Sequence, residues 1–141
     1  MRKSVYLLLL TLVVALGSCK DAKKEDLPPS KMKQVMMIHD EVMPKMTTLG
    51  KLVAELNTVA DSTEAGLKYD EAKKDLQTAH KSMMDWMQNF GNRFTSDEIM
   101  NGAPLTEQKQ QWLAEEEEHI RKVQQQFDTS IENAKKILGK E

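Results

Sequence analysis

Two short patterns in this chain carry side chains that could do chemistry. The stretch MMIHDEVMPKM, Met36 to Met46, sets His39 among four methionines, with Met43 four residues after it; the same H-x-x-x-M spacing returns at His80 and Met84. On a helix, residues four apart lie on one face a turn apart, so each pair presents an imidazole beside a thioether. Together they make a donor set suited to a soft ion, chiefly Cu(I), in an oxidising compartment where thiolates are scarce. Two histidines and two methionines are also the ligand inventory of a haem b pocket, and the absence of a CxxCH attachment sequence excludes covalent haem. His119 adds a third imidazole, and Glu116 a carboxylate for a harder ion. The same residues also fit a plainer role, since a histidine on an apolar stripe can be a hydrogen-bonded core residue and methionine is a common gap filler. Nothing points to catalysis. No serine or cysteine nucleophile stands beside a base, and no Gly-rich phosphate loop occurs, so the expectation is a protein that is not an enzyme.

The elements that must position these residues are helical. From Ser30, a candidate N-cap behind Pro28 and Pro29, the residues Met32, Val35, His39, Val42, Met46, Leu49, Val53 and Leu56 recur at spacings of three and four, which marks one inward stripe. Asp61 with Glu64 reads as a capping pair opening a second helix, with Tyr69, Ala72, Leu76, Ala79, Met83, Trp86, Met87 and Phe90 inward and Gly91 as its stop. The polar connection NRFTSDEIMNGAP has room for one helical turn at Ser96 to Met100. A third helix follows from about Thr106 to Leu138, with Trp112, Ile120, Val123, Phe127, Ile131, Ala134 and Leu138 inward and Gly139 as its stop. Glu115 to Glu118 sweep nearly a full turn, so one of them, by register Glu116, must lean inward. The glutamine-rich pieces EQKQQ and VQQQ read as solvated faces.

The expected fold is all-α, an up-down-up three-helix bundle over residues 30–141. A first turn near residues 61 and 62 would set His39 opposite Met84 and Met43 opposite His80, with Trp112 and Glu116 at about the same depth on the third helix and His119 one turn further along. Pro44 sits in the middle of the first stripe, where a proline leaves the Asp40 carbonyl without its helical donor and costs roughly 3 kcal/mol. The stripe keeps phase across it, so a kinked but continuous helix is expected there.

The start of the chain predicts an address. Arg2 and Lys3, the apolar run Val5 to Leu16 and the sequence LGSC are the parts of a secretory signal with a processing site, and the run is short of the ~20 residues that a membrane-spanning helix needs. Leu16, Gly17, Ser18 and Cys19 resemble the lipobox of bacterial lipoproteins, which implies residues 1–18 as signal peptide, cleavage before Cys19 and acylation of its thiol. Residues 19–29, charged and carrying the Pro28-Pro29 pair, read as a tether. Cys19 is the single cysteine, so no internal disulfide can brace the fold. Loss of Arg2 and Lys3 leaves 18 basic against 22 acidic residues, net −4, which argues against nucleic acid as a partner. The expected location is the cell envelope, as an outer-membrane lipoprotein facing the periplasm or the cell surface. Its expected partners are the membrane through Cys19, an envelope protein or a second copy, and a metal ion if the His/Met set is used.

Lys24, Glu25 and Asp26 look like the short lysine-plus-acidic export signal of surface lipoproteins of Bacteroidota. With the lipobox, HDEVMPKM and HKSMMDWMQNF, the chain resembles a group of small helical lipoproteins of Bacteroidota, some of which carry a name borrowed from viral A-type inclusion proteins. The resemblance brings no activity and no functional residues with it. Two functions therefore stand side by side: a membrane-anchored, non-enzymatic spacer or interaction module, and a holder of Cu(I) or haem through His39, Met43, His80 and Met84.

Overall fold

The computed structural model describes residues 29–140. The readings of residues 1–18 as a signal and of Cys19 as its lipidation site lie outside them, as does all of the tether except Pro29. The described fold is all-α, with α1 at Lys31–Val42, α2 at Lys45–Val59, α3 at Glu64–Arg93, α4 at Ser96–Met100 and α5 at Glu107–Ile137.

Each start has a local cause. The side chain of Ser30 accepts from the Lys33 N–H, that of Thr106 from the Lys109 N–H, and that of Thr63 from the Gly66 N–H, so each occupies a donor that the helix itself leaves orphaned. The second long helix thus begins two residues later than the Asp61/Glu64 pair suggested. Asp61 instead accepts from the backbone N–H and the hydroxyl of Thr63, holding the cap in place. Gly66 is required by that arrangement, because a Cβ there would fall 1.9 Å from Asp61 Oδ1. Thr95 and Glu98 form a reciprocal capping box that starts α4 where a single turn was expected.

The proline divides the first arm. Met43 and Pro44 keep right-handed helical angles, with φ −52° and −60°. The Met43 N–H still reaches the His39 carbonyl, while the Met46 N–H turns back only to Met43 at 3.1 Å. Lacking an N–H, Pro44 leaves Asp40 without the i+4 donor, so the expected single helix is two segments joined through helical backbone. Gly91 does not stop α3, which runs on to Arg93 and is capped by the buried Phe94. Phe94 continues a ring stack, 4.8 Å from Phe90, which in turn lies 4.7 Å from Trp86. That stack rewards two further residues of helix more than a glycine costs.

The core draws on α1, α2, α3 and α5. Val35, Val42, Leu56, Leu76, Met83, Ile120, Phe127 and Ala134 are fully enclosed, and Ile38, Leu52 and Leu113 join them although the sequence stripe had passed over them. Trp112, expected inward, is half-buried beside Leu113, which takes the inner position. Between helices, Lys31 pairs with Glu117, Gln124 donates to Glu41, Lys45 pairs with Asp128, and Lys140 with Glu55, so residue numbers rise together along α1–α2 and α5. Across α3 they fall: His39 stacks on Trp86 while Asn57 accepts from Lys73, and Trp86 donates to the Glu116 carbonyl while Arg93 pairs with Glu115. No described helix is long and apolar enough to cross a membrane.

Candidate functional site

The proposed His/Met quartet divides between inside and outside. His39 is half-buried, its ring stacked 5.6 Å from that of Trp86, and its Nδ1 lies 2.9 Å from the Asp40 carboxylate. Met43 is half-buried against the core. His80 and Met84 lie outward on α3, Met84 being 47% exposed. The expected facing of His39 with Met84 and of Met43 with His80 is therefore corrected: Trp86 meets His39. The reason is rotational. Leu76, Ala79, Met83, Trp86 and Phe90 fill the inner face of α3, and His80 and Met84 each follow an inner residue, so a helix step of about 100° carries them off it. Nor does His80 offer haem a second axial imidazole across the interior. Among the described residues no group of three or more His, Cys, Asp or Glu side chains is arranged to hold a metal.

The chemistry inside the bundle gathers at Glu116 instead. This residue is 1% exposed, the one charged side chain among the described residues that is fully enclosed. Its Oε1 receives the Arg93 guanidinium at 3.0 Å, from the last turn of α3. Arg93 lies 5.4 Å above the Trp112 ring and also reaches Glu115 at 2.8 Å, so the cation is held by two carboxylates and an aromatic face. Trp86 donates from its indole N–H to the Glu116 backbone carbonyl at 3.3 Å, tying α3 to α5 at the same level. Oε2 of Glu116 has no hydrogen-bond partner. Besides Arg93, the neighbouring basic side chain is His119, whose Nδ1 lies one turn along at 3.7 Å, beyond hydrogen-bond range.

That unpartnered oxygen belongs to a residue that lines a cleft of about 220 Å³ between α3 and α5, together with Ser82, Asp85, Trp86, Asn89 and His119. Ion pairs fasten the surrounding surface. Lys31 and then Arg121 hold the Glu117 carboxyl below its usual range, while Lys109 and the Thr95 backbone N–H do the same for Glu98. The expectation that Glu116 leans inward holds, and its partner Arg93 is the residue that sequence reasoning missed. No local signal pointed to it: Arg93 lies in the last turn of α3 and Glu116 well inside α5, with α4 between them, so their meeting depends on how the two helices are set against each other.

No family model, no curated protein and no solved structure matches this chain.

Proposed function

We propose that this protein is a lipid-anchored component of the cell envelope whose helices form an up-down-up bundle, α1 and α2 counting as one bent arm, and that it serves as a non-enzymatic spacer and interaction module. The observation that carries the reading is how the apolar surface is spent. Each long helix turns its apolar stripe into one shared core, and the exposed large hydrophobic residues Met37, Val59, Leu67, Met84 and Met100 are spread over several helices. With no described helix fit to span a bilayer, attachment rests on the lipobox-like LGSC and acylation of Cys19. The rising pairs along α1–α2 and α5, and the falling ones across α3, support the bundle topology. Cys19→Ala, expressed in a lipoprotein-processing host, should move the protein from the membrane pellet to the soluble envelope fraction in a detergent-free wash. Retention in the pellet would mean a second anchor and would end this account of attachment.

One observation favours a second reading, soft-metal binding by a reduced set. The Asp40 carboxylate beside His39 Nδ1 can accept that ring proton, which leaves Nε2 as the lone-pair nitrogen, the arrangement typical of a ligating imidazole. Met36, Met43 and Met87 are half-buried hydrophobes packed against the same core and could supply thioethers. Cu(I) titrated against a competing chelator tests it: stoichiometric binding lost in His39→Ala and kept in His80→Ala supports the reduced set, and equal binding by both variants excludes it.

A further inference from the structure

The Glu116 cleft has the chemistry of a receptor for a protonated amine, and we infer that it binds an alkylammonium group. Three observations converge on this. First, a buried carboxylate oxygen without a partner is costly, and Oε2 of Glu116 is one, the Arg93 guanidinium being held on Oε1. Second, the cleft is lined by the carboxylates of Asp85 and Glu116, while the cations that pair with them, Lys81 on Asp85 Oδ2 and Arg93 on Glu116 Oε1, are not among its lining residues, so Oε2 faces no lysine or arginine of the lining. Third, Trp86, already stacked with His39 and Phe90, gives the wall an apolar part for an alkyl chain, while Ser82 and Asn89 offer neutral oxygen acceptors for the remaining N–H donors. At about 220 Å³ the space suits the end of an aliphatic chain more than a whole drug-sized ligand.

His119 is the cover. Its side chain is 54% exposed and stands 3.7 Å from Oε2 without bonding it, so a rotamer change opens the approach at little cost. An entering R–NH3+ group donates one N–H to Glu116 Oε2 and turns its other donors to Asn89 and to Asp85, whose Oδ2 already holds Lys81, leaving the Arg93 pair on Oε1 intact. The same head group is available on a free amine and on a lysine side chain of a partner protein.

The test is a nuclear magnetic resonance titration of the folded protein that follows the Trp86 indole N–H and the His119 ring. Two probes distinguish the sources: n-butylammonium for a free amine, and Nα-acetyl-lysine amide for a lysine on a peptide backbone. Tetramethylammonium, a cation without N–H donors, is the control. Both ammonium probes should saturate the shifts, and tetramethylammonium should bind at least ten-fold more weakly. Saturation by n-butylammonium alone assigns the cleft to free amines. Glu116→Gln should weaken n-butylammonium at least ten-fold. Because that variant also alters the Arg93 pair, Asp85→Asn, on the exposed rim, provides a fold-neutral check and should weaken binding several-fold. Equal binding of tetramethylammonium, saturation by zinc ion with no response to n-butylammonium, or unchanged affinity in Asp85→Asn together with a folded Glu116→Gln would overturn the inference.

Discussion

Removing the Arg93 guanidinium while keeping its stem, as in Arg93→Met, strips Glu116 of its cation. The carboxylate is 1% exposed and its second oxygen already lacks a partner, so the variant leaves a buried charge with no compensating bond on either oxygen. Breaking a buried ion pair from one side costs about 3–5 kcal/mol. Arg93 itself is 31% exposed, so water reaches one flank of the pair, and a loss of about 2–4 kcal/mol is the appropriate expectation. For a domain of this size, where 1 kcal/mol moves Tm by roughly 4–8 °C, that is a fall of about 8–32 °C. Glu116→Leu with Arg93 intact moves the cation toward Glu115 and water, and should cost less. Combining the two removes both charges and leaves apolar side chains facing Trp86 and Trp112, so the double variant should be more stable than Arg93→Met alone. Urea melts of the wild type, both single variants and the double variant close a mutant cycle, and its coupling should exceed ~1 kcal/mol. Additive effects, or a double variant less stable than Arg93→Met, would show that the Glu116 carboxylate is not held by Arg93 and would refute the reasoning.

Met83→Ala should cost about 2–5 kcal/mol and Met84→Ala less than about 0.5 kcal/mol in thermal melts, because Met83 is fully enclosed and Met84 is not; equal effects would mean that the rotation of α3 is wrong. Pro44→Ala should raise helicity by circular dichroism and stabilise the domain by ~1 kcal/mol, since residue 44 already has helical angles and the new N–H can serve Asp40; a clear loss of stability would show that the bend itself is needed for docking on α5. Acid should weaken the domain in a defined window. Lys74, then Lys73, hold Asp70 down to about 2 from 3.8, and Glu98 and Glu117 lie below 4.5. A depressed folded-state value means that the contribution is complete above the unfolded value and is lost as pH falls through the folded one. Urea midpoints should therefore hold down to pH of about 4.5 and drop toward pH 2; a midpoint that does not change over that interval would contradict these pairings.

Local chemistry decided much of this protein. The three-and-four spacing of Val35, Val42, Leu49 and Leu56, of Leu76, Ala79, Met83 and Phe90, and of Ile120, Val123, Phe127 and Ala134 fits helix alone, and the caps at Ser30 and Thr106 with the stop at Gly139 need only neighbours within a turn. The inward lean of Glu116 was legible for the same reason, because four consecutive glutamates cannot all face water on one helix. Tertiary structure decided the rest. Whether His80 and Met84 point in or out depends on a rotation of α3 by a fraction of a turn, and that angle is set by what α2 and α5 can pack against, chiefly Trp86 and Phe90. Whether Gly91 ends a helix depended on Phe94 having a ring stack to join. Arg93 and Glu116 meet because two helices run antiparallel at one depth, a relation between residues 23 positions apart that no local pattern encodes. Spacing along a helix says which side chains share a face; only the neighbouring helices say which way that face is turned.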